Sequence, residues 1–340
     1  MAEPPAMTLW LTRRAFLKLG GAAALGLALP RRAAAAGLRP MPHAHLLGRT
    51  TTSLRYYQLP TRSSPELGYY VTDAVIPILE QAVGEADPPH NPLWLRTNRG
   101  WVHSSFVQPV RERYNEPILP VPAGGFLAEV TVPFSQAWDF EKSPARRTYR
   151  LYYASTYWVD FGDTDSNGVA WYRIYDDLTG KYYFTHARDL RRVPPEELTP
   201  LSAGVGEKRI QVDLAAQRLT AFEGDRLALS TRISTGVVEG DTPRGEFRVE
   251  RKRPSRHMAA DDPTGAGFDL PGVPWVCFIS WTGVSLHGTY WHNDYGRPRS
   301  HGCINLSPFA AKWLYRWTEP VVPPEEDHVA SEDGTRVVVF

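Results

Sequence analysis

Apolar residues in this chain come in short bursts with two-residue alternation, the period of strands rather than helices. Between Leu46 and Val110, Val71, Val75, Ile76, Ile78 and Leu79 lead to Leu93-Trp94-Leu95-Arg96 and then to Gly100-Trp101-Val102-His103. A related order recurs from Phe126 to Val193, in Tyr149-Arg150-Leu151-Tyr152, Ala170-Trp171-Tyr172-Arg173-Ile174 and Tyr182-Tyr183-Phe184. Trp94 and Trp171 take comparable places, so this region reads as a degenerate second copy or as one continuous β region. Its aromatics are expected in the core, with a surface groove for glycan or peptide as the alternative. Pro194 to Gly206 reads as a turn-rich linker. Alternation then resumes, with Ile210, Val212 and Leu214 answered by Arg218-Leu219-Thr220-Ala221-Phe222, a hairpin. One helix is predicted, with Ser307 as N-cap and Pro308 at its first position. The spacing Phe309, Trp313, Trp317 predicts its buried face. The pattern defines a mainly β protein with a segment at 1–36, modules at 46–115 and 116–200, and a C-terminal domain at 205–340.

Composition narrows the function. At 340 residues the chain has room for two or three cores. Its 38 Lys and Arg nearly balance 37 Asp and Glu, which argues against nucleic acid or another polyanion as partner. The 30 prolines, 11 tryptophans and 16 tyrosines suit β modules with many turns. Two cysteines, Cys277 and Cys303, are too few for a disulfide framework. Cys277 lies in the apolar run Trp275-Val276-Cys277-Phe278-Ile279, which reads as a core strand. Thr12-Arg13-Arg14-Ala15-Phe16-Leu17-Lys18 resembles a twin-arginine signal, followed by a short apolar stretch and Ala34 to Ala36. The mature chain is therefore expected outside the cytoplasmic membrane, tethered to it if the segment is retained. The absence of a nearby cysteine argues against a lipid anchor.

The chemistry concentrates between His287 and Leu306. A nucleophilic cysteine needs a base, something to orient that base, and donors for an oxyanion. Cys303 follows Gly302, which permits close approach, and a hairpin turn through Asp294-Tyr295-Gly296 is expected to set His287 opposite it. The positive end of the helix beginning at Ser307 would favour the thiolate. A disulfide between Cys303 and Cys277 would disable this nucleophile.

His287-Gly288-Thr289 followed by Ser300-His301-Gly302-Cys303-Ile304-Asn305-Leu306 resembles the signature of L,D-transpeptidases, the YkuD-like family of peptidoglycan cross-linking enzymes. Thr242-Pro243-Arg244-Gly245-Glu246-Phe247 is similar to a second element of that family, and the closing Thr335–Phe340 to its last strand. The resemblance implies a β-sandwich catalytic domain with Cys303 as nucleophile, His287 as base and the Gly288 carbonyl orienting the imidazole. Amides around Gly302 and Cys303 would form the oxyanion hole, while Ser300, His301, Gly302 and Asn305 shape the substrate pocket. Arg256-His257-Met258 and Trp275 fall where substrate-facing strands belong. The implied substrate is a peptidoglycan stem peptide, with no cofactor and no metal. The Trp and Gly-Trp-Val pattern near residue 100 resembles bacterial SH3-like barrels.

Three rival readings stand beside this one. His287, His292, His301 and Cys303 are all zinc-competent, but their spacing matches no zinc pattern. Asp163-Thr164-Asp165-Ser166-Asn167-Gly168 mimics the start of a calcium loop, yet its twelfth position is Ile174, so it reads as a hairpin turn. A non-catalytic wall-binding protein, or a carboxypeptidase using water at the same site, completes the set.

Overall fold

Short alternating segments cannot bury a face alone, so they pair into sheets and stack those sheets on shared cores. The computed structural model describes residues 46–86, 88–260 and 267–340, so the twin-arginine-like segment lies outside the described residues. The fold is mainly β, with one α-helix among the described residues.

The first region pairs Leu47–Thr50 with Val75–Pro77 and Val107–Val110. Beside this small sheet lies a five-stranded one built around Leu54–Tyr57, Trp101–His103 and Leu93–Arg96. Trp94 is fully buried, edge-on to Tyr57 and His103. The second region is a single antiparallel seven-stranded sheet spanning Phe126 to Arg192. The similar order of apolar residues in the two regions therefore accompanies different strand layouts. Tyr172, Ile174 and Tyr183 point into the core of this sheet, whereas Trp171 alternates to its other face. Asp163 to Gly168 forms a hairpin turn, with the Asp165 carboxylate accepting from the Asn167 and Val169 amides.

In the C-terminal region two five-stranded sheets enclose one core. One sheet runs Arg226–Arg232, Arg218–Glu223, Lys208–Asp213, Arg336–Val339, Gly245–Arg248. The other runs Ile304–Leu306, Ser285–Gly288, Phe268–Phe278, Arg251–Ala260, Val329–Ala330. Ile210, Val212, Leu219, Trp275, Leu286 and Ile304 meet between them. Leu127, Val193 and Leu198 join the same cluster, so the seven-stranded module shares this core.

The helix Pro308–Trp317 begins as its sequence predicts, with Ser307 Oγ accepting from the Ala310 amide. Its buried face is the expected one at Trp313 and Trp317, which pack against the core, but not at Phe309. Phe309 is 80% exposed, while Ala310, Ala311, Leu314 and Tyr315 pack inward with Trp317. The small alanines let the helix approach the sheet, which leaves the first-turn phenylalanine outside. At the other end two buried lysines cap free carbonyls: Lys208 donates to Trp317 O, and Lys252 to Tyr315 O and Thr318 O. Cations suit that negative helix end. The segment after Pro194 is docked rather than loose. Glu197 pairs with Lys312, and Leu201 N–H donates to Arg316 O.

Candidate active site

Parallel pairing of Ser285–Gly288 with Ile304–Leu306 sets Leu286 opposite Ile304 and His287 opposite Asn305. One step back, Cys303 comes level with Ser285, its sulfur 3.6 Å from Ser285 Oγ. Side chains alternate across a sheet, so Ser285, His287, Cys303 and Asn305 share one face while Leu286, Ile304 and Leu306 enter the core. His287 and Cys303 are diagonal neighbours on adjacent strands. The hairpin expected from the Asp294-Tyr295-Gly296 turn is not formed. The strands are parallel, and parallel neighbours need a long crossover, here Thr289 to Cys303.

His287 is buried, and its Nδ1 lies 3.1 Å from Gly288 O. A carbonyl only accepts, so Nδ1 carries a proton, and Nε2 is the nitrogen left to exchange one with Cys303. Cys303 is partly exposed. Burial pushes its thiol pKa up, but the hydrogen bond and charge interaction with His287, helped by Ser285, outweigh burial and bring it below the ordinary thiol value. A Cβ at Gly288 would meet Pro274 Cγ at 2.9 Å and Pro308 Cα at 3.1 Å, so glycine permits close packing here.

The Cys303 turn is tied on both sides. Ser300 Oγ donates to Cys303 O at 2.5 Å and accepts from the Gly302 amide at 3.1 Å. The Gly302 amide is thus engaged by Ser300 Oγ. Gly302 has φ of 131°, and a Cβ there would lie 2.7 Å from Asp241 O. Thr242 Oγ1 donates to Gly302 O at 2.8 Å and accepts from Gly236 N–H at 2.8 Å. The Thr-Pro element is therefore a brace for the cysteine turn.

His301 is exposed at the cleft edge, its ring 5.2 Å from that of Phe268. One polar atom of the buried Asn305 amide lies 3.0 Å from His292 Nε2, and the other has no protein partner among the described residues. His292 Nδ1 accepts from the Asp294 amide at 3.2 Å. Burial, aided by nearby Arg299, holds His292 neutral, its pKa lowered to about 3. His287, Ser300, His301, Gly302, Cys303 and Asn305 line a cleft of about 610 Å³ whose walls include Met258, Leu270 and Trp291, with His292 buried behind it. His257 and Arg256 also line it, whereas Trp275 faces the core. His287, His292 and His301 engage different partners, and among the described residues no group of three or more His, Cys, Asp or Glu is placed to hold a metal.

Several supporting residues were not legible as site residues. Asp294, fully buried on the crossover, accepts from Ser105 Oγ at 2.6 Å and Arg299 Nε at 2.8 Å, with His90 Nε2 at 2.8 Å. Burial raises its pKa, but these partners lower it further and keep it ionised. His90 and Ser105 belong to the first β region, so that region holds the loop joining His287 to Cys303. Leu178, from the second region, lines the cleft. No local motif signals contacts of such sequence separation; an Asp flanked by two arginines three and five positions on was the one available hint.

Cys303 and His287 thus lie on one face of a two-sheet scaffold and line the same cleft. Residues 207–339 match the model of the YkuD family, described as the L,D-transpeptidase catalytic domain, and this part of the chain is a domain of that family. The chain is 30% identical over 103 residues to a putative L,D-transpeptidase YkuD of Bacillus licheniformis, covering 29% of this chain and 52% of that protein. It thus spans about half the length of that curated relative. A solved Enterococcus faecium L,D-transpeptidase catalytic domain acylated by ertapenem is 31% identical, covering 39% of this chain and 97% of that one, with a TM-score of 0.31. An L,D-transpeptidase from Mycobacterium smegmatis is 18% identical, covering 73% and 90%, with a TM-score of 0.34.

Proposed function

We propose that this protein is an exported peptidoglycan L,D-transpeptidase working through a Cys303 thioester. The observation that carries this reading is the Cys303–His287 pair, with the thiol pKa lowered against burial and the imidazole oriented by Gly288 O. Export rests on the twin-arginine-like run near Arg13-Arg14.

His287 Nε2 takes the Cys303 proton, and the thiolate attacks the carbonyl carbon of the L-centre preceding the terminal D-residue of a stem peptide. Collapse of the tetrahedral intermediate breaks the C–N bond. The departing amine receives the proton from His287, and a thioester remains on Cys303. A side-chain amine of a neighbouring stem then attacks this thioester, gives its proton to His287 and releases the thiolate, leaving an L,D cross-link. Water in place of the amine makes the same site a carboxypeptidase. Asn305, on the cleft lining beside Cys303, is our candidate for contact with a substrate amide.

Intact-protein mass spectrometry after incubation with a carbapenem tests the nucleophile. One covalent adduct on the wild type and none on Cys303→Ala is expected. A folded wild type with a free thiol and no adduct would point to a wall-binding role instead. Incubation with a tetrapeptide stem, with and without an acceptor amine, then separates cross-linking from trimming.

A further inference from the structure

The outer face of the seven-stranded sheet carries a field of aromatic rings outside the catalytic cleft, and among those placed in its rows only Trp158, at its edge, packs against a core. Strand register arranges it in rows. Trp158, Tyr175 and Tyr182 stand side by side. The next row is Phe161, Arg173, Phe184 and Trp138, on four consecutive strands. Trp171 and His186 follow, stacked with centroids 4.2 Å apart. Phe140 lies over this end, 5.1 Å from both Phe184 and Trp171. Phe140, Phe161, Tyr175 and Tyr182 are 42, 43, 42 and 39% exposed. A solvated sheet face normally turns polar side chains to water, and contiguous exposed rings mark a binding surface.

The polar groups among these rings narrow the ligand. Arg173 forms a two-pronged pair with Asp160 at 2.9 and 3.0 Å while lying over Tyr182 at 4.5 Å. Arg147 covers Trp138 at 5.0 Å, and Trp171 Nε1 donates to Asp165 at 3.1 Å. Positive and negative groups offset one another, which does not suit a polyanion. Beyond Leu127, which pairs with Trp158 but is buried in the C-terminal core, the rows contain no Leu, Ile, Val or Met, the side chains an amphipathic helix would pack against. Flat rings for C–H faces, beside fixed planar groups for hydroxyls, fit a carbohydrate. A four-strand row spans about 14 Å at ~4.8 Å per strand, longer than one sugar ring.

The field also leads somewhere. The strand Ala170–Asp176 runs from Trp171 to Tyr175 and into the turn whose Leu178 lines the cleft. That turn is clamped to the catalytic domain: His257 Nδ1 meets Asp176 at 2.8 Å, and Arg253 pairs with Asp177 at 2.8 Å.

We propose that this face binds a glycan strand and that the adjoining turn delivers its peptide branch to Cys303. The assignment of that strand to peptidoglycan rests on the transpeptidase reading. Titration calorimetry of the full chain with a soluble β-1,4-linked N-acetylglucosamine hexamer tests it, beside the double variant Phe140→Ala/Tyr182→Ala. Saturable binding by the wild type is expected, weakened at least tenfold in the variant, with unchanged circular dichroism and carbapenem acylation rate. No binding by the wild type, or equal binding by the folded variant, overturns the proposal. So does binding of a sugar-free stem peptide through these rings, or a dimer in sedimentation that the variant dissociates. Carbapenem acylation needs only the cleft, so its failure would count against the transpeptidase reading separately.

Discussion

The two thiols of this chain occupy the same sheet and have opposite fates. Cys277 is 1% exposed on the core side, 3.7 Å from Thr318 Oγ1, and burial raises its pKa despite the neighbouring Lys252 ammonium. Cys303 sits at the cleft, where His287 lowers its pKa against burial. The difference shows that a neighbouring cation alone does not offset burial of a thiol, whereas a hydrogen-bonding imidazole at an open face does. Lys252 is itself committed to the helix carbonyls and lowered to about 8, chiefly by burial, so it activates nothing.

The most severe test of this contrast is deletion of each sulfur. Cys303→Ala should abolish carbapenem adduct formation, whereas Cys277→Ala should form it fully; mass spectrometry decides, and an adduct on Cys303→Ala would erase the distinction. Next, His287→Gln should slow acylation by about 10²–10⁴-fold, the usual worth of a general base, with little change in melting temperature. An unchanged rate would remove His287 from the mechanism.

The pH dependence of alkylation by iodoacetamide sharpens the same point. Cys303 should react at lower pH than an ordinary thiol, and His287→Gln should move that midpoint upward. Cys277 should stay silent until the protein unfolds.

Acid stability separates the two regions further. His292 has a folded pKa of about 3, below its unfolded value near 6.5. Its contribution is fully present above pH 6.5 and lost as pH falls through 3, because the unfolded chain binds the proton first. Asp294, also lowered, acts in the same direction. Denaturation across this window should show the slope, reduced in His292→Asn. On the core side Lys252 should give a gain between about pH 8 and 10.5, where its unfolded form still carries the proton. The smallest effect expected is on stability in Cys277→Ala, a loss of about 1 kcal/mol measured by urea denaturation.

Much of the site was legible because its parts are local. The His-Gly-Thr and Ser-His-Gly-Cys runs lie on short strands, where two-residue alternation already sorts Leu286, Ile304 and Leu306 from His287, Cys303 and Asn305. The helix start was equally readable, since a Ser N-cap and Pro act within one turn. Its buried face was legible at Trp313 and Trp317 but not at Phe309, which is exposed, because only contact with the sheet decides how far the covered stripe of an amphipathic helix extends. The aromatics of the second module show the same ambiguity. Tyr172 and Trp171 are adjacent and alike in sequence, yet one is core and the other looks outward.

By itself, then, the sequence determined the strand period, the helix start and the two short runs that carry His287 and Cys303, since each depends on residues within a few positions of one another. Tertiary structure decided that His287 and Cys303 meet through a parallel ladder rather than a hairpin. It also decided that Thr242 braces Gly302, that Ser105 and His90 hold Asp294, and that Leu178 reaches the cleft. Those contacts join residues tens to hundreds of positions apart, and their geometry exists only once the sheets have packed.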